Sequence, residues 1–141
     1  MATFNKFNQF IEDVFHKVHD FDSDTFKVLL TNTAPVATNT IVANLTEISA
    51  GNGYTAGGTA STKTSSGQTS GTYKAVYGDV VFTASGGSIG PFRYAVIYND
   101  TPTSPADPLV GYWDYGSAVT LADGETFTVD LDPTNGLLQA S

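Results

Sequence analysis

Between Phe4 and Val18 the apolar residues Phe4, Phe7, Ile11, Val14 and Val18 recur at steps of three and four, and Phe10 and Phe15 widen the stripe. This is the spacing of one face of an amphipathic helix. The opposite face carries Lys6, Asn8, Glu12, Asp13 and Lys17, and Thr3 is placed to cap a run beginning at Phe4. The spacing predicts one helix of about four turns, ending before the turn-forming Asp22-Ser-Asp24. Such a helix is marginal alone in water, so its phenylalanines need a surface to cover. That surface is either the sheet of its own domain or a neighbouring subunit.

From Thr25 the period changes to two. Phe26, Val28 and Leu30 alternate with Lys27, Leu29 and Thr31, and Ile41, Ala43 and Leu45 continue the alternation after a break at Thr33-Ala-Pro35. Further strands are predicted over 72–76, 79–84, 92–98, 109–115, 118–121 and 125–132, with Asp123-Gly124 as a type I′ hairpin turn. The last of these is the clearest two-faced strand, Phe127, Val129 and Leu131 alternating with threonines and aspartates. Phe92–Tyr98 is apolar on both faces and should be central, covered on one side by an opposing sheet and on the other by the helix or a partner. Residues 49–71 hold almost no large apolar side chains and read as long Gly/Ser/Thr surface loops. The chain thus divides into an N-terminal amphipathic helix, residues 1–21, and a β domain, residues 22–141. About eight short strands between Gly/Pro-rich breaks favour a mainly β fold, an antiparallel β-sandwich or jelly-roll-like domain preceded by one α-helix.

The chain has 141 residues, 40% of them hydrophobic, enough for one domain with a packed core. Charged residues make up only 14%, and Thr, Ser, Asn and Gly fill the gap, giving a neutral-polar surface. Six basic against 14 acidic residues leave a net charge of −8, the wrong sign for neutralising a phosphate backbone, which excludes nucleic acid as a partner. No apolar run approaches the roughly 20 residues that cross a bilayer, so no membrane is implied. Without cysteine there are no disulfides, thiolate metal sites or cysteine nucleophiles. The first ten residues lack an apolar signal core, so the sequons at Asn44 and Asn99 have no secretory context, and the protein is expected to be made and kept in a cytoplasm until assembly.

Candidate chemistry is sparse. His16 and His19 stand three apart with Asp20 following, a spacing a metal site can use, although two polar residues at a helix C-terminus, where imidazolium is favoured, is the simpler reading. Asp20-Phe-Asp22-Ser-Asp24 supplies the first three positions of a calcium loop, but Thr25 and Thr31 stand where the loop needs Gly and Glu; only a looser calcium cage stays open. Asp100, Asp107, Asp114 and Glu125 are the carboxylates that could converge for glycoside cleavage. No Gly-x-Ser-x-Gly elbow presents a nucleophile. Tyr112-Trp113-Asp114-Tyr115 could form a carbohydrate-stacking platform, against which Trp113 alternates with Leu109, Gly111 and Tyr115 as a core strand would. Arg93, the only arginine, is placed to stack on a neighbouring aromatic or pair with an acid. These patterns carry no enzyme, cofactor or metal assignment.

The blocks Phe4-Asn-Lys-Phe-Asn-Gln-Phe-Ile-Glu-Asp-Val14, Ser23–Thr40, Gly90–Thr101, Gly111–Gly116 and Leu121–Asp130 resemble, in texture and order, small virion structural proteins of tailed bacteriophages, most of all capsid decoration, or cement, proteins. The resemblance implies a non-enzymatic protein on the virion exterior, made in the host bacterial cytoplasm, that binds the major capsid protein across joints between capsomers as a dimer or trimer. It assigns no contact residues. Because the Phe-rich stripe exceeds what a small sandwich needs, Phe4, Phe7, Phe10, Ile11, Val14, Phe15 and Val18 form the candidate capsid or self-association surface. The competing expectation is a tail or fibre-associated receptor-binding module whose loops and Tyr112–Tyr115 aromatics take bacterial surface glycan.

Overall fold

The computed structural model describes residues 2–141, and the chain folds as a mainly β protein with antiparallel ladders throughout. In chain order its elements are β1 (Phe4–Lys6), α1 (Asn8–Phe15), β2 (Phe26–Thr31), a 3-10 turn (Val42–Asn44), β3 (Thr59–Ala60), β4 (Lys63–Thr69), β5 (Thr72–Tyr77), β6 (Val80–Thr83), β7 (Ile89–Asn99), β8 (Leu109–Leu121), β9 (Thr126–Val129) and β10 (Leu138–Ala140). Three sheets result, with orders β1-β8-β7-β2-β3, β10-β5-β4 and β6-β9.

β7 is the central strand of the five-stranded sheet, as its two apolar faces require. Its Ala95 and Ile97 join Phe26, Val28 and Leu30 of β2 in the main core, which also takes Tyr77 of β5, Phe82 of β6 and Val129 of β9. On the opposite face Val96 and Tyr98 join Leu29, Leu109 and Phe7, covered at the edge by Val42, Leu45 and Tyr112. The cover on that second face is therefore the N-terminal arm and the 42–45 turn of the same chain. β8 runs unbroken through the two segments expected at 109–115 and 118–121. Its register jumps between Ile97↔Gly111 and Tyr98↔Leu109, so that Val110 joins Trp113 in the main core while Leu109 faces the other one, and the expected placing of Leu109 and Trp113 on one face fails at that bulge.

The N-terminal region departs most from expectation. In place of one helix over 4–18 there are a three-residue strand and a two-turn helix. Phe4 pairs with Trp113 and Lys6 with Gly111 in the β1–β8 ladder, and the Phe7 N–H extends it to the Val110 carbonyl at 3.1 Å. Backbone pairing to an open strand edge thus overrides the weak local preference for helix. Phe7, extended, takes the N-cap position in place of Thr3. α1 stops early because Lys17 adopts φ +64°, while the Lys17 N–H bonds the Val14 carbonyl and the Val18 N–H the Asp13 carbonyl. That pair of bonds is a Schellman ending, here with lysine at the left-handed position.

Three smaller expectations also change. Residues 49–71 are not all loop: β3 and β4 lie inside them, and Ser70 and Gly71, both at positive φ, make the two-residue hairpin into β5. Asp123-Gly124 is not a type I′ hairpin, since only Gly124 has positive φ and the strand it feeds, β9, pairs with β6 and not with β8. Ile41–Leu45 is not a strand, because the Asn44 side chain accepts hydrogen bonds from the Thr40 and Ile41 N–H groups at 3.0 and 3.2 Å and closes a 3-10 turn.

Candidate functional site

The predicted apolar stripe divides among three environments. Phe7 and Phe10, 1% and 2% exposed, are core residues on opposite faces of the main sheet, and Phe4 is half-buried with its ring 4.8 Å from that of Trp113. Val14 and Val18 are half-buried, Val14 packing on the main core. Only Ile11 and Phe15 stay out, at 48% and 81% exposure. They are four residues apart on α1 and therefore neighbours on its outward side. Five of the seven candidate positions thus serve the protein's own packing wholly or in part, and the surface that remains is the Ile11–Phe15 edge. Burying a phenylalanine as exposed as Phe15 against a partner would contribute about 2 kcal/mol.

Around α1 the polar residues are held by local contacts. His16 lies 3.6 Å from Glu12 at the surface. His19 is not on the helix: it folds back into the interior, 7% exposed, against Phe10, Phe21 and Phe26. Its Nδ1 meets Asn99 Nδ2 at 3.2 Å, and its Nε2 has no hydrogen-bond partner among the described residues. Burial lowers its pKa to about 4, despite the opposing pull of Asp13 and Asp24, so the ring is neutral at pH 7. The two histidines are therefore separated and do not form the metal pair their spacing allowed. In the Asp20–Asp24 turn, Asp20 accepts from Ser23 Oγ and the Asp22 N–H, Asp24 accepts from the Asp20 N–H and Asn99, and Lys63 holds Asp22 at 2.8 Å. Those hydrogen bonds hold the Asp20 carboxyl below its usual range. The aspartates close a turn, and among the described residues no three His, Asp or Glu side chains converge as a metal site requires.

Of the four carboxylates considered for catalysis, Asp100 and Asp107 come together beside Lys27, which pairs with Asp100 at 2.9 Å. Burial and then the Asp100 carboxylate raise the Asp107 pKa, with Lys27 opposing. Asp114 is elsewhere, bidentate to Arg93 at 2.8 and 3.0 Å, which keeps its carboxyl below the usual range. Glu125 accepts the Ala122 N–H at 2.6 Å within its own turn. Arg93 also lies 5.3 Å from the Tyr94 ring centroid, so it both pairs and stacks. Trp113 is 5% exposed within the core and Tyr115 packs edge-on to Phe127, so the 112–115 aromatics present no stacking platform.

One polar network escaped the sequence reading. Glu47 Oε1 accepts from Tyr54 Oη and the Gly57 N–H, both at 2.6 Å, while Tyr54 Oη accepts the Leu30 N–H at 3.0 Å and Tyr98 Oη donates to the Gly57 carbonyl at 2.6 Å. A single glutamate in a Thr/Asn/Gly-rich stretch was its only signal. The network pins the 47–58 loop onto β2 and β7 and raises the pKa of Tyr54, chiefly by burial. Comparison with protein-family models, with curated proteins and with solved structures finds no match to this chain.

Proposed function

We propose that this chain is a structural protein of a tailed-phage virion, a β-sandwich of jelly-roll type that binds the exterior of the icosahedral shell and stabilises it by bridging neighbouring capsomers. The observation that carries this reading is the Ile11–Phe15 edge. The two-turn helix α1, anchored through its N-cap Phe7 and through Phe10 to both faces of the main sheet, holds a phenylalanine that is 81% exposed. An apolar residue held out on an ordered element suits a small docking contact with the major capsid protein or a second copy of the chain as dimer or trimer. A cement protein needs no more per copy. It binds the expanded shell in preference to the free state, each contact adds stability by mass action, and symmetric repetition multiplies a modest affinity. The acidic, Thr-rich remainder of the surface keeps particles soluble.

The test is co-sedimentation of purified protein with shells of the phage that encodes it, stripped of this component. Saturable binding that raises the thermal rupture temperature of the shell, and that falls at least tenfold for Phe15→Ser, is expected. Absence of binding by the wild-type protein would overturn the proposal.

A further inference from the structure

A pocket of about 200 Å³ opens where β1, β8 and the segment after β9 meet. It is smaller than the ~300–1,000 Å³ typical of drug-sized ligands and suits a single long side chain. One wall is aromatic, the tilted rings of Phe4 and Trp113 with centroids 4.8 Å apart. Leu131 and Leu137, 2% and 7% exposed, supply an aliphatic wall. Asp130 and Asp132, with Ala2 and Gly136, complete the lining, and no Lys, Arg or His lines it among the described residues.

The two carboxylates differ in state. Asp132 is fixed, accepting hydrogen bonds from the Thr134 and Asn135 N–H groups at 2.8 and 2.9 Å and from Asn135 Nδ2 at 2.9 Å. The nearby Lys74 ammonium is engaged with the Thr134 carbonyl at 2.8 Å. Asp130 is exposed and has no hydrogen bond or ion pair among the described residues. Around an apolar interior there is thus a negative rim with one uncommitted carboxylate, on a chain of net charge −8.

We propose that this pocket receives a basic side chain, lysine or arginine, projecting from a partner protein. Such side chains combine an apolar stem with a charged head. The stem fits between the Phe4–Trp113 and Leu131–Leu137 walls, and the head meets Asp130, with Asp132 as a second negative group and the aromatic rings as a favourable neighbour for a cation. The assignment does not depend on the capsid reading, since any partner with a protruding basic residue satisfies it.

Trp113, the single tryptophan, lies in the wall and reports occupancy directly. The probe is the blocked tripeptide acetyl-Gly-Lys-Gly-amide, titrated into the full chain at low salt while Trp113 emission and backbone amide shifts are followed; acetyl-Gly-norleucine-Gly-amide, which keeps the stem and lacks the charge, is the control. A saturable change at millimolar lysine peptide is expected, with shifts concentrated at residues 130–137. The norleucine peptide should bind at least tenfold more weakly, and so should the lysine peptide to Asp130→Asn, a surface change that leaves the fold intact. Equal response to the two peptides, undiminished binding to Asp130→Asn, no saturation, or shifts that map elsewhere would each overturn the proposal.

Discussion

Acidifying the protein from pH 7 to pH 4 should remove about 3 kcal/mol of stability through His19 alone. In the native state the ring is buried beside Phe10, Phe21 and Phe26 with its pKa lowered from 6.5 to about 4, and in the unfolded chain it titrates near the ordinary value. Between those two values the unfolded state binds a proton that the native state does not, so stability rises with pH across that window and falls as pH drops through it. At about 1.4 kcal/mol per pH unit, the separation corresponds to about 3 kcal/mol, a large share of the ~5–15 kcal/mol that holds a typical domain. Urea unfolding from pH 7.5 to 4, with His19→Gln in parallel, measures it. The carboxylates of Asp20, Asp114 and Asp132, lowered by their hydrogen bonds, lose their contribution only as pH falls below the ordinary carboxylate range, and they do so alike in both proteins. The difference between the two curves therefore isolates His19. With only two histidines, NMR titration resolves both rings and should place His19 near pH 4. A His19 midpoint near 6.5, or curves that stay parallel throughout, would show that burial of the neutral ring does not set the acid stability.

Other perturbations separate packing from surface. Phe10→Ala should cost about 3–5 kcal/mol in urea unfolding, whereas Phe15→Ser should stay within about 0.5 kcal/mol of wild type, because the first residue is 2% and the second 81% exposed. Glu47→Ala should cost about 3 kcal/mol by stranding the Tyr54 hydroxyl and the Gly57 N–H, with Glu47→Gln recovering part of the loss. Gly58→Ala should lower stability by more than about 1 kcal/mol in the same assay, since Gly58 has φ +81° and an added Cβ would meet the Val28 carbonyl. Asp114→Asn should leave the urea unfolding midpoint almost unchanged, the more so at high salt, because the Arg93 pair is more than a third exposed on both sides.

What the sequence reveals tracks where packing is periodic. β2, β6 and β9 are legible because alternation marks strands with a buried face, and β7 is legible as central because both its faces are apolar. β4 is not, because Lys63–Thr69 carries no apolar alternation and owes its form to the ladder with β5 across Ser70-Gly71. The N-terminal arm misleads for a different reason. Its three-and-four spacing arises from residues serving separate surfaces: Phe4 on Trp113, Phe7 on the outer face of the main sheet, Phe10 on the inner. Periodicity cannot distinguish that from one continuous helix face. The candidate site was legible to the same extent. Ile11 and Phe15 were within the predicted stripe, but which of its residues the core would absorb depends on where β8 leaves an open edge.

The proposed place in the capsid lattice is tested most directly by stoichiometry. Particles of the proposed source phage are purified, and the amount of this chain relative to their major capsid protein is measured by quantitative mass spectrometry. A lattice protein repeats with the shell, so a molar ratio within a factor of about three of the shell protein is expected, as symmetric assembly requires. A few copies per particle would contradict it and place the protein in the tail.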